Sequence, residues 1–266
     1  MKEIDIEELK RIQIEILDKV DEFCNNTGIH YFLSSGTLIG AIRHKGYIPW
    51  DDDVDIYMPR KDYEMFLDNF NGYDSNFRVI SLRNVSNYPN SYSKVERAGT
   101  LLIEKADYSI EMGVNIDVFP VDGVPDDILE RKKYMNKAIR LFQKMELKKT
   151  TIDFERRGLL KNIILAIGKL LLQSKSLAEL AKELDAMIDK DCEETKYVCS
   201  LVSNNKFGKE FPRSVIEGTV EVEFEGKYYK TMRGWDTYLR VNYGDYMQLP
   251  PEEKRITHHS YKAFWK

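Results

Sequence analysis

Asp51-Asp52-Asp53-Val54-Asp55-Ile56 packs four carboxylates into six residues, and their spacing suggests what they could hold. If 53–57 is a strand, its side chains alternate faces, so Asp53 and Asp55 project from the same side roughly 7 Å apart. Two carboxylates so placed offer oxygen ligands to a hard cation, Mg2+ or Mn2+, which usually keeps several waters and shares substrate phosphates. Val54 and Ile56 give the run the alternation of a strand rather than of a solvated acidic surface, and half-burying carboxylates without a cation is expensive. Upstream, Ser34-Ser35-Gly36-Thr37 makes a turn in which Gly36, lacking a Cβ, lets backbone N–H groups approach an anion. Such a turn alone reads as a plain loop. Together with the acids it describes a place for a phosphate and for the metal that neutralises it.

A further acid, Asp117, lies between Ile116 and Val118, where a buried strand would prefer an apolar residue. Asp122, followed by Gly123, reads as a turn former. Lys94 and Arg97 fall in a hairpin expected over 92–98 and 100–104 around Gly99, either as solvated charges or within reach of phosphates. His258 and His259 are adjacent and project in different directions, with no acid or cysteine at ligand spacing; a substrate contact and an ordinary surface pair stand level. Neither a Gly-x-x-x-x-Gly-Lys-Ser/Thr loop nor a Gly-x-Gly-x-x-Gly fingerprint occurs, which argues against P-loop and Rossmann enzymes.

These residues need elements to position them. Leu9, Ile12, Ile16, Val20 and Phe23 recur at three- and four-residue steps, which predicts an amphipathic helix over 6–24, ended by Asn25-Asn26-Thr27-Gly28. A first strand over 29–33 then delivers the chain to the Ser-Ser-Gly-Thr turn, and a short helix over 38–43 presents its N-terminal donors to an anion. After the acids, a helix opens at Pro59-Arg60 with Tyr63, Phe66, Leu67 and Phe70 as its apolar face, and strands follow at 77–82 and 198–202. Residues 218–224 and 227–230 alternate like paired strands about Glu225-Gly226, a helix covers 235–241, and the basic, aromatic tail is placed to close over the site.

With 266 residues, 42% of them hydrophobic, the chain can fill one large domain or two small ones, and a formal net charge of −4 excludes a protein that coats nucleic acid. Three cysteines, Cys24, Cys192 and Cys199, lack Cys-x-x-Cys spacing, so neither a disulfide framework nor a zinc site is expected. The charged, helical N-terminus differs from a signal sequence, which points to a reducing cytoplasm. Internal repeats and low-complexity segments are absent, against a scaffold or linker.

The middle of the chain, 126–191, reads as helices. Residues 131–161 hold eleven Lys or Arg against three acids, a local net of +8. Overlapping their end comes GLLKNIILAIGKLLL, 158–172, too short and too polar to span a bilayer. Two readings stand: a helix packed on the rest of the protein beside a solvated basic neighbour, or a helix lying on an anionic membrane surface. A second helix is expected over 177–188.

SSGTLIGAIRHKGYIPWDDDVDI resembles the signature of the LicD family, phosphotransferases of nucleotidyltransferase fold that decorate glycans with phosphocholine or related groups. Tyr243-Gly244-Asp245-Tyr246-Met247, followed by Leu249-Pro250-Pro251 and His258-His259, is similar to that family's C-terminal signature. The resemblance implies an α/β fold, a nucleotidyltransferase-like mixed sheet flanked by helices, built from 1–125 and 193–266 with a helical insertion at 126–192. It implies Mg2+-dependent transfer of a phosphorylated alcohol, foremost phosphocholine from CDP-choline with release of CMP, to a hydroxyl of a cell-surface glycan precursor such as teichoic acid or lipopolysaccharide, on a lipid-linked acceptor. Asp53, Asp55 and Asp117 would be the catalytic, metal-holding acids. Gly36, Thr37, Arg43, Trp50 and Lys94 would bind substrate, with Trp50, Tyr92 and Trp235 as either a cation–π cage or core. A cytoplasmic enzyme, peripheral at the membrane through 158–172, is the expected setting. The rivals are another CDP-alcohol donor, a nucleotidyltransferase that moves the nucleotide itself, and a binding protein without turnover.

Overall fold

A computed structural model describes residues 1–104, 106, 110–188, 194–202, 209–257 and 261–266, the side chains of 155–157 excepted. Cys192, His258 and His259 lie outside the described residues. From the N-terminus come β1 (Lys2–Ile4), α1 (Ile6–Thr27), β2 (Phe32–Leu33), α2 (Ser35–His44), β3 (Asp55–Pro59) and α3 (Arg60–Asn69). Then follow β4 (Phe77–Ile80), β5 (Ser93–Arg97), β6 (Thr100–Glu104) and β7 (Asn115–Val124). Three helices, α4 (Ile128–Lys149), α5 (Phe154–Leu171) and α6 (Leu177–Met187), precede β8 (Tyr197–Cys199) and β9 (Phe211–Pro212). The hairpin β10 (Thr219–Phe224) and β11 (Lys227–Met232), then α7 (Trp235–Tyr243) and β12 (Tyr261–Trp265), complete the chain.

The expected α/β class with a mixed sheet is what forms. The main sheet runs β2-β3-β7-β5-β4, with β8 and β9 added along the far half of β7. β3 and β7 are parallel and the other pairs antiparallel. β7 lies at its centre, and nine of its ten residues are buried, because helices cover it: α1 and α3 both pack on it. α1 presents Leu9, Ile12, Ile16, Val20 and Phe23 to the core, opened by Asp5, which accepts from the Glu8 N–H at 2.8 Å, and closed at Gly28 with φ 73°. The one polar residue buried on that stripe, Gln13, has a task at the site below.

Several expectations are corrected. The hairpin around Gly99 does not form: β5 pairs with β4 and β7 in the main sheet, whereas β6 pairs with β12 in a separate three-stranded sheet, β1-β12-β6. The chain corners there because Thr100 Oγ1 donates to the Arg97 carbonyl at 2.6 Å and accepts from the Val114 N–H at 2.9 Å, which fixes the two strands in different sheets. Asp122 is not in a turn. It sits inside β7, fully buried, and accepts from Arg60 Nε at 2.6 Å. Strand β3 starts at Asp55 rather than at Asp53. Finally, α5 is broken at Gly158 and its apolar residues face solvent, so the reading in which this helix packs its apolar face on the rest of the protein fails.

Candidate active site

The site begins where β2 ends. Ser34, fully buried, caps α2, and its N–H donates to the Asp55 carbonyl at 3.0 Å. The Asp55 N–H in turn donates to Thr37 Oγ1 at 2.8 Å, so the first turn of α2 is laced to the start of β3. Ser35 adopts φ 50° and donates its N–H to the Tyr238 hydroxyl at 3.2 Å. Gly36 stands in this turn because the Asp51 carboxylate rests against it: a Cβ there would lie 2.6 Å from Asp51 Oδ2. One turn on, a Cβ on Gly40 would meet the Gly46 carbonyl at 2.4 Å, so the second glycine lets the 45–50 loop fold over the helix. Glu225 clamps that loop from the β10–β11 turn by accepting the Tyr47 N–H at 2.9 Å.

The loop returns the acids to the helix. Ligand oxygens of Asp51, Asp52 and Asp53 all come within 4.8 Å of one another. Regular strand alternation would turn Asp52 away from Asp53, but the strand has not yet begun at this point, so the two converge. Gln13 Nε2 holds the segment by donating to the carbonyls of Asp52 at 3.0 Å and Asn115 at 3.3 Å, and the Tyr261 hydroxyl donates to the Asp52 carbonyl at 3.0 Å. Burial alternates along it: Asp52 and Val54 are buried, Asp53 and Asp55 half-buried.

Across the sheet, Asp55 of β3 lies beside Asp117 of β7, and Asp117 beside Lys94 of β5. Lys94 Nζ donates to Asp117 Oδ1 at 2.5 Å and to Asn115 Oδ1 at 3.1 Å. Lys94 is therefore no solvated hairpin charge; it is buried. Burial alone would lower its pKa, but the carboxylates of Asp117, Glu104 and Asp55 outweigh burial and leave it raised, so it stands as a fixed cation in a row of acids. A cavity of about 50 Å³ joins Asp52, Asp53, Lys94 and Asp117. Every acidic donor here is a hard oxygen, the set that suits Mg2+ or Mn2+ rather than a softer metal.

The other expected substrate residues are placed variously. Gly36 and Thr37 lie at the acids, as described. Arg43, in the last turn of α2, donates from Nη1 to the Tyr246 carbonyl and from Nε to His44 Nε2, both at 2.9 Å; burial and then nearby Arg255 lower its pKa. Trp50 is half-buried on the core with the Arg255 guanidinium 5.8 Å from its ring. Tyr92 stacks on Phe119, and Trp235 packs on the core at the start of α7. Arg97 turns outward to Asn76. Sequence reasoning missed Gln13, Asn115, Glu225 and Tyr261; of these only Gln13, a polar residue on an apolar helical stripe, left a signal.

Comparison with known proteins agrees with this layout. The nucleotidyltransferase-domain family described as LicD/FKTN/FKRP matches residues 28–157, the stretch that holds α2, the acids and β7. The chain is similar to the lipopolysaccharide cholinephosphotransferase LicD of Haemophilus influenzae, with 31% identity over 99% of both chains. It also resembles an uncharacterized protein of Rickettsia typhi, 38% identical over 63 residues that cover 23% of this chain and 20% of the relative.

Proposed function

This chain belongs to the LicD family, and on that premise we propose that it transfers phosphocholine from CDP-choline to a hydroxyl of a cell-surface glycan such as lipopolysaccharide. The observation that carries this reading is the folding of Asp51, Asp52 and Asp53 against the glycine of the α2 N-terminal turn, which puts a cation-holding cluster beside backbone donors. The main sheet is read as a nucleotidyltransferase-like core contributed by 1–125 and 193–266, with 126–192 as an insertion. The setting is the cytoplasmic side of the membrane.

In this reading Asp53 and Asp55 would hold Mg2+ or Mn2+, with Asp51 and Asp52 folded beside Asp53. Such a cation supplies neutralisation of the donor diphosphate and of the departing CMP. The first turn of α2 binds phosphate through its N–H groups at Gly36 and Thr37. Arg43 adds a charge-assisted contact, and Trp50 lies along the donor. The acceptor oxygen forms a bond to the choline-bearing phosphorus, the anhydride bond to CMP breaks, and CMP leaves with the electron pair. The hydroxyl proton passes to the Asp117 carboxylate, which Lys94 orients from the neighbouring strand.

Titration calorimetry with CDP-choline, with and without Mg2+, tests the site, and the nucleotide product tests the reaction. Metal-dependent binding should weaken by about 10² to 10³-fold in Asp53→Asn/Asp55→Asn, the scale of losing a preorganised electrostatic group. CMP should appear in step with glycan labelling. Release of pyrophosphate from a nucleoside triphosphate, without use of CDP-choline, would overturn phosphocholine transfer in favour of nucleotidyl transfer.

A further inference from the structure

Beyond Gly158, α5 turns the usual arrangement of an amphipathic helix inside out. At 100° per residue, Leu160, Ile163, Ile164, Ile167, Leu170 and Leu171 share about 120° of its circumference, and each is 45% to 77% exposed. The opposite side faces α4: a Cβ on Gly168 would lie 2.8 Å from Leu147 Cδ1, and Lys148 Nζ donates to the Leu172 carbonyl at 3.0 Å. Gly168 and the Leu172 carbonyl thus meet the protein, and the six aliphatic side chains of the stripe meet the surroundings. Six branched side chains on one exposed stripe form a patch of the kind that marks an interaction surface.

We propose that this stripe docks the protein on the surface of an anionic membrane, with α5 lying in the plane of the headgroups. Charge selects this occupant over a second copy of the chain. Around the stripe the sequence is basic: residues 131–161 hold eleven Lys or Arg against three acids, a local net of +8. Two copies meeting through the stripe would bring two such basic segments together, whereas anionic headgroups offer the complementary charge. Exposed Lys137, Arg140 and Lys144 on α4 extend the basic field. Length selects lying over spanning: 159–171 is roughly 20 Å long against about 30 Å of hydrocarbon, and among the described residues no helix is long and apolar enough to cross a membrane. The stem of exposed Lys161 can lie along apolar surface while its ammonium group reaches the phosphates. Docking rests on the structure alone; that it brings the enzyme to a lipid-linked glycan rests on the phosphotransfer reading.

Vesicle flotation of the full chain separates the two, because it needs no turnover. The wild type should float with vesicles of phosphatidylcholine and phosphatidylglycerol mixed in equal parts, and much less with phosphatidylcholine alone or at high salt. Ile164→Glu/Ile167→Glu should weaken binding at least about tenfold, and Arg140→Gln/Lys161→Gln should weaken it while leaving the apolar stripe untouched. Circular dichroism checks that both variants fold; should the glutamate variant fail to fold, the glutamine variant decides. Failure of the wild type to float with anionic vesicles, or equal flotation of wild type and both variants, would overturn the proposal. So would a wild-type dimer in sedimentation that the glutamates dissolve without any vesicle binding. Flotation with no CDP-choline turnover would keep the docking and remove the phosphotransfer reading.

Discussion

Lys94, Glu96 and Asp122 hold charge inside the main sheet, whereas Leu160, Ile164 and Leu171 hold aliphatic surface out in solvent, so two regions of one chain depart from the usual partition in opposite senses. In the sheet every one of these departures is answered from within. Lys94 meets Asp117 at 2.5 Å, Glu96 accepts from Arg78 Nε at 2.5 Å, and Asp122 accepts from Arg60 Nε at 2.6 Å. On α5 the stripe has no such answer among the described residues, because α4 takes up only the opposite side of the helix. The difference separates buried charge that the fold answers by itself from an aliphatic surface for which the proposed answer is a membrane.

The widest contrast lies in stability. Asp122→Ala takes from the buried Arg60 guanidinium its Nε partner, leaving Glu64 at 2.9 Å, and should destabilise the fold by about 3 kcal/mol in chemical denaturation. Ile164→Glu adds a charge where the side chain already faces water, and should shift the same curve by no more than about 0.5 kcal/mol. Equal losses in the two variants would mean that α5 is buried in the working protein and would break the comparison.

Within the sheet region, two glycines of α2 sharpen it further. Gly40→Ala drives a methyl into the Gly46 backbone carbonyl, which cannot swing aside, and should cost about 1–3 kcal/mol of stability. At Gly36 the obstacle is the end of the Asp51 side chain, which can move. Gly36→Ala should therefore leave the melting temperature nearly unchanged while lowering kcat/KM for the CDP-alcohol by about 10 to 100-fold, as expected for a displaced binding group. A variant that loses stability and keeps activity would place Asp51 outside the working site.

Much of this was legible in the sequence where the signal is local. The 3.6-residue stripe and Gly28 delimit α1; Glu225-Gly226 announces the β10–β11 hairpin; the alternation about Val54 survives even though β3 begins two residues late. What was illegible depends on partners far along the chain. Asp122-Gly123 has the composition of a turn, and it is Arg60, 62 residues away, that answers its buried charge. Thr100–Glu104 looks like the return arm of a hairpin because its true neighbour, Tyr261–Trp265, lies at the other end of the sequence. Lys94 reads as surface charge until the register that sets it beside Asp117 is known. At the site itself, the approach of Asp51, Asp52 and Asp53 oxygens to within 4.8 Å of one another was hidden because it depends on a loop that Gln13 and Tyr261 hold ahead of the strand.

The smallest expected effect concerns His44, which braces Arg43 by accepting from its Nε at 2.9 Å. Burial, and then the charge of Arg43, hold the imidazole below its ordinary value, so the fold favours the neutral ring. Its contribution to stability is therefore complete above the unfolded value of about 6.5 and is lost as pH falls through the lower folded value. Protonation there also removes the acceptor for Arg43, which loosens the guanidinium while its bond to the Tyr246 carbonyl persists. If Arg43 contacts the donor phosphates, KM for CDP-choline should rise on the acid side while kcat holds. His44→Gln, whose amide oxygen can accept without titrating, should flatten that rise. Superimposable acid limbs in wild type and His44→Gln would show that Arg43 needs no brace, and that the first turn of α2 with its acids binds the phosphates without help from the helix's far end.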